Sequence, residues 1–338
     1  MPKEASAKRT DYKGIDCAEL RAGGYYALIA PPVGSSVLRL YDENKRLDFF
    51  RFCENVSAEE LKEKREIYGF PTLYLPNRLD RGILKTSDGV YHFPQNEKAP
   101  LNSYIHGFMH RREHKLVKLV QNNVSAVAST EYVYDENDPM FLYFPLKFRA
   151  EMNYILSKNG LEQFFNIENL SKKMLPVGIG SHTAIKAPFD DGGKAEDIRI
   201  CLPVGERIEL DSRFLATGRF MPLGEYDLRY RNGKANPAIP PIDNEMYTAK
   251  TMLLNGEPFH GAVISNVRTG KKICYETGEE YKFWILWNEW GGKGYFCPEP
   301  MTWMVNAPNL ELSPQTTGYR EIPPGGSFTA YQHFFSAD

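Results

Sequence analysis

The sequence lacks the marks of several common protein classes. No apolar run approaches the ~18 residues that a membrane-spanning helix needs, and the opening "MPKEASAKRTDYKGID" is polar and charged where a secretory leader would be apolar. We therefore expect a cytoplasmic protein with no membrane partner. Its five cysteines, Cys17, Cys53, Cys201, Cys274 and Cys297, are odd in number and scattered without CxxC spacing. This argues against a disulfide framework or a structural zinc site and for reduced, mostly buried thiols. Excess charge is missing too: a net charge of -2 over 338 residues gives no general attraction to nucleic acid. There is no βαβ spacing, internal repeat, low-complexity tract, or linker rich in Gly, Ser or Pro.

What is there is an ordinary globular composition, 42% hydrophobic and 25% charged, sufficient for a sizeable core. Runs rich in Val, Ile, Tyr and Phe alternate with turn signals at short intervals, the pattern of an antiparallel all-β chain. Asn122-Asn123 separates two apolar runs, and Asn tolerates the positive φ of a tight hairpin. Asn255-Gly256 marks another turn. The segment 261–288, broken at Thr269-Gly270 and Thr277-Gly278, reads as three successive strands of a β-meander. One helix stands out in "SAEELKEKREIYGF", where Ser57 and Glu60 have capping-box spacing and Gly69 follows as a stop. The Pro-rich "NGKANPAIPPIDNEMY" reads as a long loop at one end of a sandwich. The expectation is an all-β fold, a large antiparallel β-sandwich with few short helices. Residues 1–20 would be an N-terminal extension or first strand, and residues 21–338 a single β-sandwich domain.

Candidate chemistry begins at "GYFCPEPMTW", which sets one carboxylate, Glu299, between two prolines in an apolar and aromatic stretch. An unpartnered buried Glu is costly, so Glu299 belongs at a surface or at a site. Pro298 and Pro300 hold it extended and pre-aimed. Four other segments place polar residues beside Gly or Pro: "GFPTLYLPNRLDRG" with Asn77 and Arg78, "LNSYIHGFMHRREH" with His106, "LPVGIGSHTAIKAP" with His182, and "PPIDNEMY" with Asp243. Arg donates in a fixed fork, Asp accepts from two hydroxyls, and two His with a Glu supply acid and base, a set suited to a polyol. Each also has a plainer reading. His106 and His182 would serve as structural histidines, Arg78 as a solvated surface residue, and Asp243 as a turn former. Gly107 would let a ligand approach the backbone beside His106, and the glycines of "GIGSH" would allow a bulge that re-aims His182. His106, His110 and His114 at i, i+4 and i+8 would align as metal ligands on a helix. Gly107, the β-pattern around it, and Arg111 and Arg112 between them argue against that, so no metal is expected. Cys297 among apolar neighbours would have a raised pKa, poorly suited to a nucleophile.

In this order, the segments resemble the aldose 1-epimerase (galactose mutarotase) family from about Tyr25 to the C-terminus. The motifs are "P-x-L-x-x-P-NR-x-x-x-G" from Pro71 to Gly82, "HG" at His106-Gly107, "G-x-H" with a following Pro from Gly180 to Pro188, Asp243 before Tyr247, and "EP" followed by "NAPN" at Glu299-Pro300 and Asn306 to Asn309. The resemblance implies a β-sandwich whose concave face holds a sugar and interconverts its α and β anomers without cofactor or metal. It implies Glu299 as general base on the anomeric hydroxyl, His182 as general acid on the ring oxygen, His106 as an orienting group near that oxygen, and Arg78, Asn77 and Asp243 as hydroxyl ligands. With reference pKa values of ~4.3 for Glu and ~6.5 for His, the ionised acid would accept and the protonated imidazole donate. Trp303, Tyr295, Phe108 and Tyr104 are candidates to stack on a sugar face.

Phe108 after "HG" marks a divergent branch, some of whose members act on sugar phosphates and carry an arginine shortly after "HGF". Here Met109 and His110 intervene before Arg111 and Arg112. The partner expected is therefore a small-molecule sugar, a free aldose or a sugar phosphate, bound by a monomer or homodimer. Glu245 and Asp227 compete with Asp243 for its role. A non-catalytic carbohydrate-binding protein on the same fold is the main alternative. A glycoside-processing enzyme ranks last, because that chemistry needs two carboxylates and only Glu299 is nominated.

Overall fold

The computed structural model describes residues 4–52 and 55–337. Two large antiparallel sheets carry the chain. The first runs, in spatial order, Lys115–Gln121, Ser125–Tyr134, Phe148–Ser157, Gly160–Asn169, Ser327–Ala337, Lys272–Thr277, Gly261–Asn266 and Ile198–Cys201. Its central strand Phe148–Ser157 alternates strictly between buried and half-buried residues, so one face lies on the core. The second runs Ala216–Met221, Val204–Leu210, Glu245–Ala249, Phe283–Trp287, Tyr295–Met301, Gly180–Ser181 and Thr72–Leu73, with Ile185–Lys186 also paired to Tyr295–Met301. Here alternation gives way to burial on both faces: every residue of Tyr295–Met301 is buried. That is why an acid at position 299 loses its water.

The chain begins in a third sheet of five strands in sequence order, Ser6–Tyr12, Ile15–Ala22, Tyr25–Ala30, Ser36–Asp42 and Leu47–Asp48. The expected boundary after residue 20 falls inside the second of these strands. Ala18, Leu20 and Ala22 share one buried apolar cluster with residues of both large sheets, such as Tyr154 and Trp284.

Several local expectations meet the structure directly. Asn255 and Gly256 take φ values of 54° and 89° between Met252–Leu254 and Glu257–Phe259, a two-residue hairpin of the kind that needs positive φ twice. Ser57 caps the helix Ala58–Glu63 by accepting from the Glu60 amide at 3.1 Å. The Glu60 carboxylate turns instead to the Tyr68 hydroxyl and Lys64, so only half of the capping box forms. Two further short helices, Glu225–Arg231 and Pro314–Thr317, accord with the expected few short helices, at positions the sequence did not mark. In the first, the Asp227 carboxylate accepts from the Gly224 amide.

Others are corrected. The Asn122-Asn123 turn does close a hairpin, but by a different means. The Asn122 side-chain oxygen accepts from the amides of Val124 and Ser125, an Asx turn that needs no positive φ. The expected meander over 261–288 is broken. Gly261–Asn266 pairs with Lys272–Thr277 in the first sheet, but Phe283–Trp287 crosses to the second. The Thr277-Gly278 signal marks a passage between layers, which a turn residue alone cannot distinguish from a hairpin. The Pro-rich stretch before Glu245 is a loop pinned by Asn288, whose amide donates to the Pro237 and Pro240 carbonyls while its oxygen accepts from Ile242. Among the described residues no helix is long and apolar enough to cross a membrane.

Candidate active site

Glu299 sits on the strand Tyr295–Met301, opposite Ile285 of Phe283–Trp287. On the strand's other side the pairing is interrupted: Gly180–Ser181 and Ile185–Lys186 both reach it, leaving His182 to Ala184 in the gap between them. Pro298 and Pro300 have no amide to donate, so a strand carrying both tolerates such a gap without orphaned donors. His182 occupies that gap, its amide donating to the Pro71 carbonyl at 3.2 Å. The Nε2 of His182 lies 3.3 Å from the Glu299 carboxylate, with the side chains only 7% and 2% exposed. No bulge re-aims His182. Gly178 and Gly180 are glycines for packing, since a Cβ on them would stand 2.3 Å from the Trp303 ring and 2.8 Å from Pro76 respectively.

His106 follows a separate two-stranded sheet, Arg78–Asp80 paired with Ser103–Ile105. Its ring meets His182 edge-on, centroids 5.2 Å apart. His106 and Gly107 both adopt left-handed φ, 65° and 63°. The reason for glycine at 107 is the chain itself rather than a ligand: a Cβ there would lie 2.1 Å from the Leu75 amide nitrogen and the Tyr74 carbonyl oxygen.

Arg78 is buried, and its guanidinium is gripped by the Glu97 carboxylate through two hydrogen bonds of 2.8 and 2.9 Å. It also donates to the Asn244 side-chain oxygen at 3.2 Å and lies over the Phe214 ring. Its backbone is held by Asn77, whose side chain accepts from the Arg78 amide, and by Asn306, whose amide donates to the Arg78 carbonyl. The solvated-surface reading of Arg78 is therefore excluded.

Asn77, Arg78, His106, His182 and Glu299 line one cleft of about 300 Å³, within the lower range of small-molecule sites. Asp243 does not join them. It lines an adjoining depression with Arg207, Asp211 and Phe214, and accepts from the Asn244 side-chain amide at 2.8 Å. Asn244 lines the cleft instead. The competing acids are also engaged elsewhere: Glu245 accepts from the Tyr230 and Tyr247 hydroxyls, and Asp227 from Arg207. A larger depression of about 740 Å³ by Arg21, Tyr25 and Lys158 has no histidine in its lining.

The aromatic candidates are core residues. Trp303 and Tyr295 are fully buried, and Phe108 and Tyr104 nearly so. The aromatic wall of the cleft is Trp287, edge-on to His182 at 5.4 Å, which the sequence did not single out. Glu66 was missed as well. It lines the cleft and binds His110 Nε2 at 2.8 Å and Arg111. The i, i+4, i+8 histidine triplet does not form a set of ligands. His110 sits in a 3-10 turn facing Glu66, and His114 contacts the Met109 carbonyl.

Burial sets the electrostatics. It pushes the Glu299 carboxyl well above the usual carboxylate range, with the positive charge of Arg78 opposing. It pulls His182 down to about 4, and it lowers His106 strongly, aided by repulsion from His182. Both shifts favour the neutral forms. The ionisation states expected from reference pKa values are thus reversed in tendency, because a dry pocket penalises charge on either partner. One Glu299 oxygen, Oε2, and the Nδ1 atoms of His182 and His106 are buried with no hydrogen-bond partner in the protein. Cys297 is also fully buried, and burial raises its thiol well above the ordinary value, with the Glu299 charge adding to this.

Comparison with known proteins follows the same lines. A profile of the aldose 1-epimerase family matches residues 16–334. The chain belongs to the aldose 1-epimerase family. A galactose mutarotase-like protein from Clostridium acetobutylicum is 31% identical, with TM-score 0.95 over 99% of both chains. The galactose 1-epimerase of Lactobacillus acidophilus NCFM shares the fold at 14% identity, with TM-score 0.71 over 100% of this chain and 99% of its own. The LacX protein encoded on a plasmid of Lactococcus lactis subsp. lactis is 22% identical over 218 residues, 63% of this chain and 69% of its own length. Membership in the aldose 1-epimerase family and the mutarotase-like sandwich thus rest on nearly the whole chain.

Proposed function

We propose that this protein is an aldose 1-epimerase acting on a free aldose, with Glu299 as its general base and His182 as its general acid. The observation that carries the reading is their 3.3 Å approach in the cleft, among unpartnered polar atoms that a polyhydroxylated ligand would satisfy. Ring opening breaks the C1–O5 bond and forms the C1=O1 double bond. It removes a proton from O1 and delivers one to O5, so the proton count of the pair is unchanged. Glu299 takes the O1 proton and His182 supplies O5. After rotation about C1–C2, the same groups close the ring on the other aldehyde face.

The shifted pKa values help this exchange. A carboxylate whose pKa is raised is a stronger base than one in water, and an imidazolium whose pKa is lowered is a stronger acid. Because the two touch, one proton between them is enough for either direction. His106 lies beside His182 to orient the ring-oxygen end of the sugar, Arg78 and Asn77 bind hydroxyls, and Trp287 offers an apolar face.

A free aldose is favoured over a phosphate ester because both arginines after "HGFMH" already have carboxylate partners, Arg111 with Glu66 and Arg112 bidentate with Asp138. Glu66 and Glu97 are likewise paired with cations, which leaves Glu299 without the second free carboxylate that glycoside cleavage uses.

Polarimetry of freshly dissolved α-D-glucose, α-D-galactose and their 6-phosphates tests the substrate class. Faster approach to anomeric equilibrium with the free sugars supports it. Binding of those sugars by calorimetry with no acceleration would replace it with a carbohydrate-binding protein.

A further inference from the structure

Two residues before Glu299, on the same face of its strand, stands a thiol that the epimerase reading does not use. The Cys297 sulfur, a ring nitrogen of His182 and a Glu299 carboxylate oxygen all lie within 4.8 Å of one another, and all three residues are buried. We propose that these three groups form a binding site for a thiophilic divalent cation, with zinc as its representative.

The donor set is the one such ions take: thiolate, imidazole and carboxylate, three protein ligands with a fourth position left open. Bonds of ~2.0 to 2.1 Å to nitrogen and oxygen at a tetrahedral angle place those two atoms about 3.3 Å apart. The His182 Nε2 to Glu299 separation is 3.3 Å, so the harder two ligands are already set, and the sulfur needs to close by about an ångström. The charge count permits it. The nearby cation Arg78 is neutralised by its two hydrogen bonds to Glu97, and Glu299 Oε2 has no other partner to give up. Binding releases the thiol proton and the proton that burial keeps on Glu299, since thiolate and carboxylate are the ligands.

The ion would occupy the acid and base that the sugar needs. That it would block turnover rests on the function proposed above; that it binds does not.

Cobalt is the probe, because a thiolate bound to Co²⁺ gives a near-ultraviolet charge-transfer band that needs no activity to be seen. We expect a band that saturates at one equivalent in the reduced wild type. In Cys297→Ser and Cys297→Ala, two variants with different polarity in case one fails to fold, it should vanish or weaken at least about tenfold in affinity. Absence of the band in the wild type, or its persistence at equal affinity in either folded variant, would overturn the site, the latter by assigning the band to another cysteine. In the epimerase assay zinc should raise the apparent KM of the wild type and leave that of Cys297→Ala unmoved. Equal inhibition of both would place the ion elsewhere.

Discussion

Glu299 and His182 lie 3.3 Å apart, and burial drives their proton affinities towards each other, the acid upward and the imidazole downward. An ionised carboxylate in that position costs stability, and the pH at which it is expressed follows from the shift. A carboxyl raised in the fold binds its proton more tightly than in the unfolded chain. Stability is therefore lost as pH rises from the unfolded value of ~4.3 through the folded one. Glu299→Gln should accordingly be more stable than the wild type at pH 8, with the difference shrinking towards pH 4.5. Denaturant midpoints at the two pH values measure it, and a variant that is less stable at pH 8 would contradict it.

The histidines give the opposite slope. His106, His110, His114 and His182 are all lowered by burial, so the unfolded chain takes up protons first as pH falls. Stability should drop between about pH 6.5 and pH 4. For His114 and His182, each held at about 4, the loss is ~3 kcal/mol apiece over that window. The variant His114→Gln should show a shallower decline of unfolding free energy over this range, and an unchanged slope would refute the assignment.

Arg78 should be intolerant of a conservative exchange. Lysine keeps the charge but not the two-pronged grip of Glu97 or the donation to Asn244. Arg78→Lys is expected to raise KM about tenfold with a smaller change in kcat. Glu97→Gln should have a milder effect, and the double variant should fall short of the product of the two. Strict multiplicativity would show that the pair does not act as a unit.

Gly107→Ala should destabilise by ~3 kcal/mol or more, combining a left-handed backbone with direct collision. The colliding atoms are main-chain groups of Tyr74 and Leu75 at 2.1 Å, which cannot swing away. A melting temperature within a degree or two of the wild type would contradict this.

How much of this was legible in the sequence depended on the range of the interaction. Asn255-Gly256 specified its hairpin because both residues adopt the φ that the turn needs, a local matter. Thr277-Gly278 misled because the strand that follows it is claimed by Glu245–Ala249 and Tyr295–Met301 in the other sheet. In the cleft, Glu299 stood out through the prolines beside it, and His106, His182, Asn77 and Arg78 through Gly and Pro. Their partners did not: Glu97 and Asn244 lie 19 and 166 residues from Arg78, the first in a segment with no marking of its own and the second in the marked "PPIDNEMY", where Asp243 was the nominee. Asp243 was nominated because it precedes Tyr247 as in the family's motif, with Glu245 and Asp227 as its competitors, whereas it is Asn244, at φ 53°, that lines the cleft, and a backbone angle is not written in the sequence. The raised thiol of Cys297 was legible in its apolar neighbours, but the shifts of Glu299 and His182 were not, since they come from covering both faces of one strand.

The account turns on the pair acting as acid and base. The direct measurement is the enzyme-catalysed rate of α-D-galactose mutarotation by polarimetry for the wild type, Glu299→Gln and His182→Asn, each confirmed folded. We expect acceleration by the wild type and losses of ~10²-fold to 10⁴-fold in kcat for each variant. A wild type that accelerates while Glu299→Gln retains its full rate would contradict the central claim.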